Sequence, residues 1–255
     1  MLNKSLFLLL LVVCFAACKT NDDPIENTSV SIDFSHRFNQ QVVTSNNFNA
    51  LQYTNGFGTT LSLTRLRYLI SEISFTNQQG IKTLVKDYQL IDVGENTGML
   101  IDGITLAEGT YLLNMRFGFS ETANTSSIYP DLNAASWNVP QMLGGGYHYM
   151  QMEGRFLDLN NQESIYAYHT ISAVQNPGPD NIREDTSIAL TLGEINITQD
   201  AIQINITMDI DQWFENPNLW DLNLLNGMLM GNYTAQKLMQ ENGQTVFSLQ
   251  TNQGN

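Results

Sequence analysis

The most restrictive feature of this sequence is a period of two. Val30, Ile32, Phe34, His36 and Phe38 alternate with Ser31, Asp33, Ser35 and Arg37. Such a pattern lays one face of an extended strand on a core and leaves the other wet; it does not make a helical stripe. It returns in Tyr111–Phe119 and Ile202–Ile210. In the stretch 148–156, His148, Met150, Met152 and Phe156 alternate with Tyr149, Gln151 and Glu153. In the stretch 165–171, Ile165, Ala167, His169 and Ile171 alternate with Tyr166, Tyr168 and Thr170. Leu61–Phe75 and Tyr88–Val93 read as further strands, the former slipping near Leu69 as at a bulge. Helical spacing is confined to Asn232–Asn242, with Gly243 as a stop. The chain therefore reads as all-β, an antiparallel β-sandwich or flattened barrel with long loops and a short C-terminal helix. One domain is expected over residues 29–255, with long irregular segments at 121–146 and 175–185.

The N-terminus reads as an address. Lys4 precedes a short apolar run within Leu2–Val13, too brief to span a membrane. Phe15-Ala16-Ala17-Cys18 resembles a bacterial lipobox, so residues 1–17 are expected to be removed and Cys18 lipidated. Residues 18–28 then form a polar tether. The expected location is the outer membrane or cell surface, with contact to the membrane through the lipid anchor alone. One cysteine remains after such cleavage, which excludes a disulfide and a free-thiol nucleophile. Lys and Arg number 11 against 25 Asp and Glu, a net charge of −14. That balance argues against nucleic acid and against polybasic docking on anionic lipid.

His36, His148 and His169 all fall on the apolar side of their strands. A single inward histidine is most simply a hydrogen-bonded core residue, whereas three together suggest a transition-metal site, because neutral imidazole suits copper and zinc. His148 and His169 belong to consecutive strands. An even-length loop between those strands keeps both on one face, and an odd one separates them. Met150 and Met152 share the alternation of His148 and are candidate weak thioether ligands. Just upstream, Trp137 leads through Gly144-Gly145-Gly146 into Tyr147-His148. Three consecutive glycines permit a sharp turn or a close backbone approach.

The run Leu66-Arg67-Tyr68-Leu69-Ile70-Ser71-Glu72-Ile73-Ser74-Phe75, then Tyr88-Gln89-Leu90-Ile91-Asp92, Gly109-Thr110-Tyr111 and Phe117-Gly118-Phe119, resembles the MbnP-like family. The Trp137–Gly154 segment, which contains His148, resembles it too. The family gathers copper-binding periplasmic or surface proteins associated with methanobactin operons, and many lipoproteins of Bacteroidota. The resemblance implies a β-rich copper-binding domain, with His36, His148 and His169 as ligand candidates. It also implies Trp137 as a candidate for oxidation to kynurenine by a partner di-haem enzyme of the MauG type. The chain departs from the methanobactin branch at Pro140 and Gly144-Gly145-Gly146, and at Leu229-Met230, where many relatives show Met-His.

No catalytic motif is found: no Gly-x-Ser-x-Gly elbow, no His-Glu-x-x-His helix and no phosphate-cradling loop, so a non-enzymatic role is expected. The alternative is a metal-free surface lipoprotein that binds glycan or protein through Tyr147, Tyr149, Tyr166 and Tyr168, if those rings form an exposed stripe.

Overall fold

The computed structural model describes residues 27–198 and 200–250. Residues 1–17, Cys18 and most of the expected tether lie outside the described residues. Asn27 and Thr28, assigned to the tether above, instead begin the first strand.

The strands, in chain order, begin with β1 (Asn27–Phe38), β2 (Gln41–Val42), β3 (Tyr53–Thr54), β4 (Thr60–Leu61) and β5 (Arg65–Asn77). Next come β6 (Lys82–Asp92), β7 (Leu100–Ala107), β8 (Gly109–Phe117), β9 (Met150–Leu157) and β10 (Glu163–Thr170). The last are β11 (Ala173–Gln175), β12 (Ile182–Glu184), β13 (Ile188–Ile197), β14 (Ile202–Asp209) and β15 (Phe247–Gln250). Helix α1 (Pro130–Ala134) interrupts the first long irregular segment. Helix α2 (Tyr233–Asn242) stands where helical spacing places it, with the Asn232 side chain accepting from the Ala235 N–H.

Two sheets face each other. One is five-stranded, β15-β14-β1-β2 with β7 also on β1; the other is eight-stranded, β13-β8-β5-β9-β4-β3 with β10 on β9 and β6 on β5. Side chains from both, among them Ile32, Phe34, Tyr68, Phe75 and Phe117, share one core, which Trp213 joins from the helical turn after β14. The sandwich architecture is as expected, but one ladder is not antiparallel: β1 runs parallel to β14, from Val30↔Ile202 to Arg37↔Asp209. A period of two sets which face is buried and carries no information on strand direction.

β5 organises the larger sheet. It pairs along one edge with β6, while its other edge is divided between β9 (Arg65–Tyr68) and β8 (Ile70–Asn77). The expected bulge falls at Glu72 rather than Leu69; Glu72 has φ +53° and the register shifts there.

The alternation of β10 points the opposite way from the sequence reading. Tyr166 and Tyr168 enter the core, while Ile165 is 78% exposed. Aromatic rings bury more area than Ala167 can, and each phenol finds a partner inside: Tyr166 donates to the Ser62 carbonyl and Tyr168 to the Trp213 carbonyl. Tyr147, Tyr149, Tyr166 and Tyr168 are exposed by only 0, 0, 2 and 0%, so the tyrosine stripe that an adhesive surface would need is not formed.

Candidate metal centre

The site is built on the outer face of the eight-stranded sheet. Arg67 and Tyr68 are neighbours on β5 and point to opposite faces. Tyr68 enters the core, whereas the Arg67 guanidinium lies 5.0 Å from the centre of the Trp137 ring. Register carries the outer face across three strands. Arg67 pairs with Gln151 and Gln151 with His169; in the next row, Arg65 pairs with Glu153 and Glu153 with Ala167. The 121–146 segment closes over this face, burying Leu69, Phe119, Leu132, Trp137 and Tyr147 in a second, smaller apolar cluster.

Trp137 and His148 face each other in a narrow hairpin. Asn138 bridges Tyr147, the Val139 N–H donates to the Gly146 carbonyl, and the His148 N–H donates to the Trp137 carbonyl at 3.0 Å. Gly144, Gly145 and Gly146 turn the hairpin with φ of +92°, +66° and +77°, a succession of left-handed residues that glycine adopts without strain.

The loop joining β9 to β10 runs from Asp158 to Gln162, because Leu157 pairs with Glu163. Its length is odd, and by strand parity His148 and His169 belong on opposite faces. They nevertheless meet, because regular β9 begins only at Met150 and the chain bends at Tyr149. The two imidazole centroids are 5.4 Å apart and nearly perpendicular, at 84°. The Trp137 ring lies 5.6 Å from that of His148.

Each imidazole is held by an acceptor on one nitrogen. His148 Nδ1 donates to the Trp137 carbonyl at 3.0 Å, which fixes Nε2 as the lone-pair nitrogen; that atom is buried without a hydrogen-bond partner. His169 Nε2 donates to Glu153 Oε1 at 2.9 Å, leaving Nδ1 with the lone pair. Arg65 fixes the same Glu153 oxygen at 2.7 Å. A backbone carbonyl on one histidine and a carboxylate on the other is the outer support that metal-binding imidazoles carry. Burial lowers the pKa of His148 to about 4, with smaller downward contributions from His169 and Arg67. Burial also lowers that of His169, opposed by Glu153. Both rings are thus neutral at pH 7, the form that binds metal. With nitrogens about 2.0 Å from a shared ion, two imidazoles have centroids about 5–6 Å apart. The observed spacing fits. Among the described residues, no group of three or more His, Cys, Asp or Glu side chains is arranged to hold a metal, so the donor set here is a pair.

The other candidates lie elsewhere. His36 is on the inner face of the five-stranded sheet, with Nε2 2.9 Å from the Tyr68 hydroxyl, and the eight-stranded sheet stands between it and the imidazole pair. Met150 and Met152 do not share the face of His148; they are fully buried in the main core beside Tyr68 and Tyr168, their register partners. The bend at Tyr149 is the reason, since it breaks the alternation that linked them to His148. The supporting residues Arg65, Arg67, Gln151 and Glu153 are missed by sequence reasoning. Their signal is the alternation Arg65-Leu66-Arg67-Tyr68, which sets two guanidinium groups on one face of a strand.

The class so defined is an all-β sandwich with a histidine pair, one ring buried and the other half-buried, beside a tryptophan hairpin. The MbnP family model matches residues 27–230, and the chain belongs to the MbnP family. The solved structure of MbnP from Methylosinus trichosporium shares the fold with a TM-score of 0.54 at 12% identity, covering 88% of this chain and 99% of that one. No curated protein matches the chain.

Proposed function

We propose that this protein is a copper-binding lipoprotein of the cell envelope that takes up, stores or hands on copper through His148 and His169. The observation that carries the reading is the convergence of these rings, 5.4 Å apart, each with one nitrogen tied to an acceptor and the other free of it. Family membership supports it. His148 Nε2 and His169 Nδ1 would hold the ion, Glu153 and the Trp137 carbonyl orient the rings, and the Trp137 ring packs beside buried His148 while His169 keeps a partial opening to solvent. Copper, when bound, supplies a redox-active soft cation, which neutral imidazoles accommodate in either common oxidation state. Cys18 carries the lipid that tethers the domain at the outer membrane or cell surface.

Copper titration of the purified soluble domain tests the assignment. His148→Ala and His169→Ala each abolish tight binding, and Glu153→Gln weakens it about 10- to 100-fold. His36→Gln leaves it unchanged. Retention of full affinity in both alanine variants removes the pair as the site.

The resemblance further supports a di-haem partner of the MauG type acting on Trp137, whose ring adjoins the metal-binding face of His148. Intact mass of the protein from its native host reads this directly, because conversion to kynurenine adds about 4 Da. The unmodified mass excludes the partner while leaving the histidine pair untouched.

A further inference from the structure

A cavity of about 240 Å³ opens between β5, β6 and the start of the 121–146 segment, beside the smaller apolar cluster. It has the room of roughly eight waters, small for a drug-sized ligand and adequate for a molecule of a few heavy atoms. Its apolar side is aromatic. Phe119 and Tyr129 stack with centroids 4.7 Å apart and planes at 21°. Tyr88 stands against them at 72° and 60°, so the three rings make a corner rather than a flat pile. Leu84, 51% exposed, lines the same cavity.

The polar side is acidic. Glu72 and Asp87 line the cavity, and no Lys, Arg or His does. Glu72 already has a counter-charge, Arg116 at 3.2 Å. Asp87 is exposed and, among the described residues, has no ion-pair partner. Burial raises the pKa of the Tyr129 phenol, and Tyr147 and the Asp87 carboxylate push it further the same way, so the Asp87 charge is felt at that ring. The hydroxyls of the lining are committed as donors elsewhere. Ser71 donates to the Gly118 carbonyl at 2.6 Å, Tyr129 to the Ala123 carbonyl at 3.3 Å and Tyr88 to the Asp131 carboxylate at 2.7 Å. The lining side chains therefore offer an anion neither a free donor nor a positive charge.

Aromatic walls with an unpaired carboxylate suit a cation that asks for no hydrogen bonds. Ring faces attract positive charge through their quadrupole, and more strongly when the cation is desolvated. A primary ammonium or a small metal ion would leave strong hydration behind and find its donors or coordination sites unmet against the rings. A fully alkylated ammonium has no N–H to leave unpaired, and its methyl groups bury apolar area.

We propose that the cavity bounded by Tyr88, Phe119 and Tyr129, with Asp87 and Glu72 on its acidic side, binds the alkylated ammonium head group of an organic cation. The rings receive the methyl groups and Asp87 is the counter-ion. No atom of the histidine pair takes part, so the site stands or falls independently of the copper assignment.

The test is an NMR titration of the isotope-labelled purified protein with choline, with sodium chloride holding the ionic strength constant. Saturable shifts are expected at the amides of residues 71–72, 84–88 and 119–129, with a Kd of about 1 mM. The neutral isostere 3,3-dimethyl-1-butanol has the same shape without the charge, and is expected to bind about 10-fold more weakly. Asp87→Asn is expected to weaken choline about 3-fold, and Tyr129→Leu, which keeps an apolar side chain and removes the ring, about 5-fold. The same head group on capped trimethyllysine separates two sources. Binding tighter than choline assigns the site to a partner protein's side chain, weaker binding to a free solute, and either upholds the chemistry. Absence of saturable shifts overturns the proposal. Equal affinity for the alcohol does so too, because it would report an apolar hole indifferent to charge, as does unchanged choline affinity in both variants. Asp87→Asn, an exposed substitution, carries the mutational test alone if Tyr129→Leu fails to fold.

Discussion

Lowering the pH from 7.5 to 5 is expected to remove about 2 kcal/mol of stability through His36 alone. The imidazole is 2% exposed, and burial pushes its pKa down to about 3. In the unfolded chain the group titrates near 6.5. As pH falls below that value the unfolded state takes up a proton that the folded state refuses, so protons favour unfolding. The contribution is fully present above about pH 6.5 and is lost progressively as pH falls toward the folded value. His148, lowered to about 4, acts in the same direction. Denaturant unfolding at the two pH values, for wild type and His36→Gln, isolates the His36 share. The variant is expected to be weaker at pH 7.5, because Tyr68 loses its imidazole partner, yet to lose about 2 kcal/mol less on acidification. Equal losses in the two proteins contradict the assignment.

Gly154→Ala is expected to cost about 3 kcal/mol, a fall in Tm of about 6–12 °C for a domain of this size. Gly154 pairs directly with Tyr166 across β9 and β10, and the Tyr166 ring folds over it so that the hydroxyl reaches the Ser62 carbonyl at 2.8 Å. A Cβ at this position would stand 1.9 Å from the Ser62 carbonyl oxygen and 2.6 Å from the Tyr166 ring. The carbonyl belongs to the backbone and cannot swing aside, so either β4 separates from β9 or the tyrosine leaves its bond. Gly227→Ala is the control: its Cβ meets nothing within 4 Å and its backbone is not left-handed. Thermal unfolding of the two variants should differ by nearly the whole predicted shift; equal midpoints would show that the strands yield without cost.

Much of the fold was legible because long strands have only one economical way to bury alternating side chains. Val30–Phe38 and Ile202–Ile210 were read with the correct inner faces, and Asn232–Asn242 as the helix, because their periods are unambiguous. β10 was misread because Ile165 and Ala167 look more apolar than tyrosine, whereas the phenols at Tyr166 and Tyr168 reach internal carbonyls and so bury their rings without penalty. β7 and β13 went unread: Leu100–Ala107 and Ile188–Ile197 mix exposed and buried positions around Gly103 and Gly193, which blur the alternation.

The site was legible in its residues more than in its logic. His148, His169 and Trp137 do converge, but parity across an odd loop predicts their separation, and a bend at Tyr149 brings them together. Bends of a single residue leave no periodic trace. His36 was placed correctly on an inner face, yet nothing in its own strand shows that the inner faces of the two sheets and the outer face of the larger one are different places. Arg67 and Glu153 could be found only once the register of three strands was known.

The parallel ladder between β1 and β14 has a consequence for how the chain is made. Val30 and Ile202 are register partners although nearly the whole domain lies between them in sequence. Native topology of such high contact order forms late and slowly. While the chain emerges from the ribosome, β1 can pair with β2 and β7, but its other edge lacks β14. The smaller sheet is therefore expected to be completed only once β14 and β15, in about the last fifth of the chain, have been made.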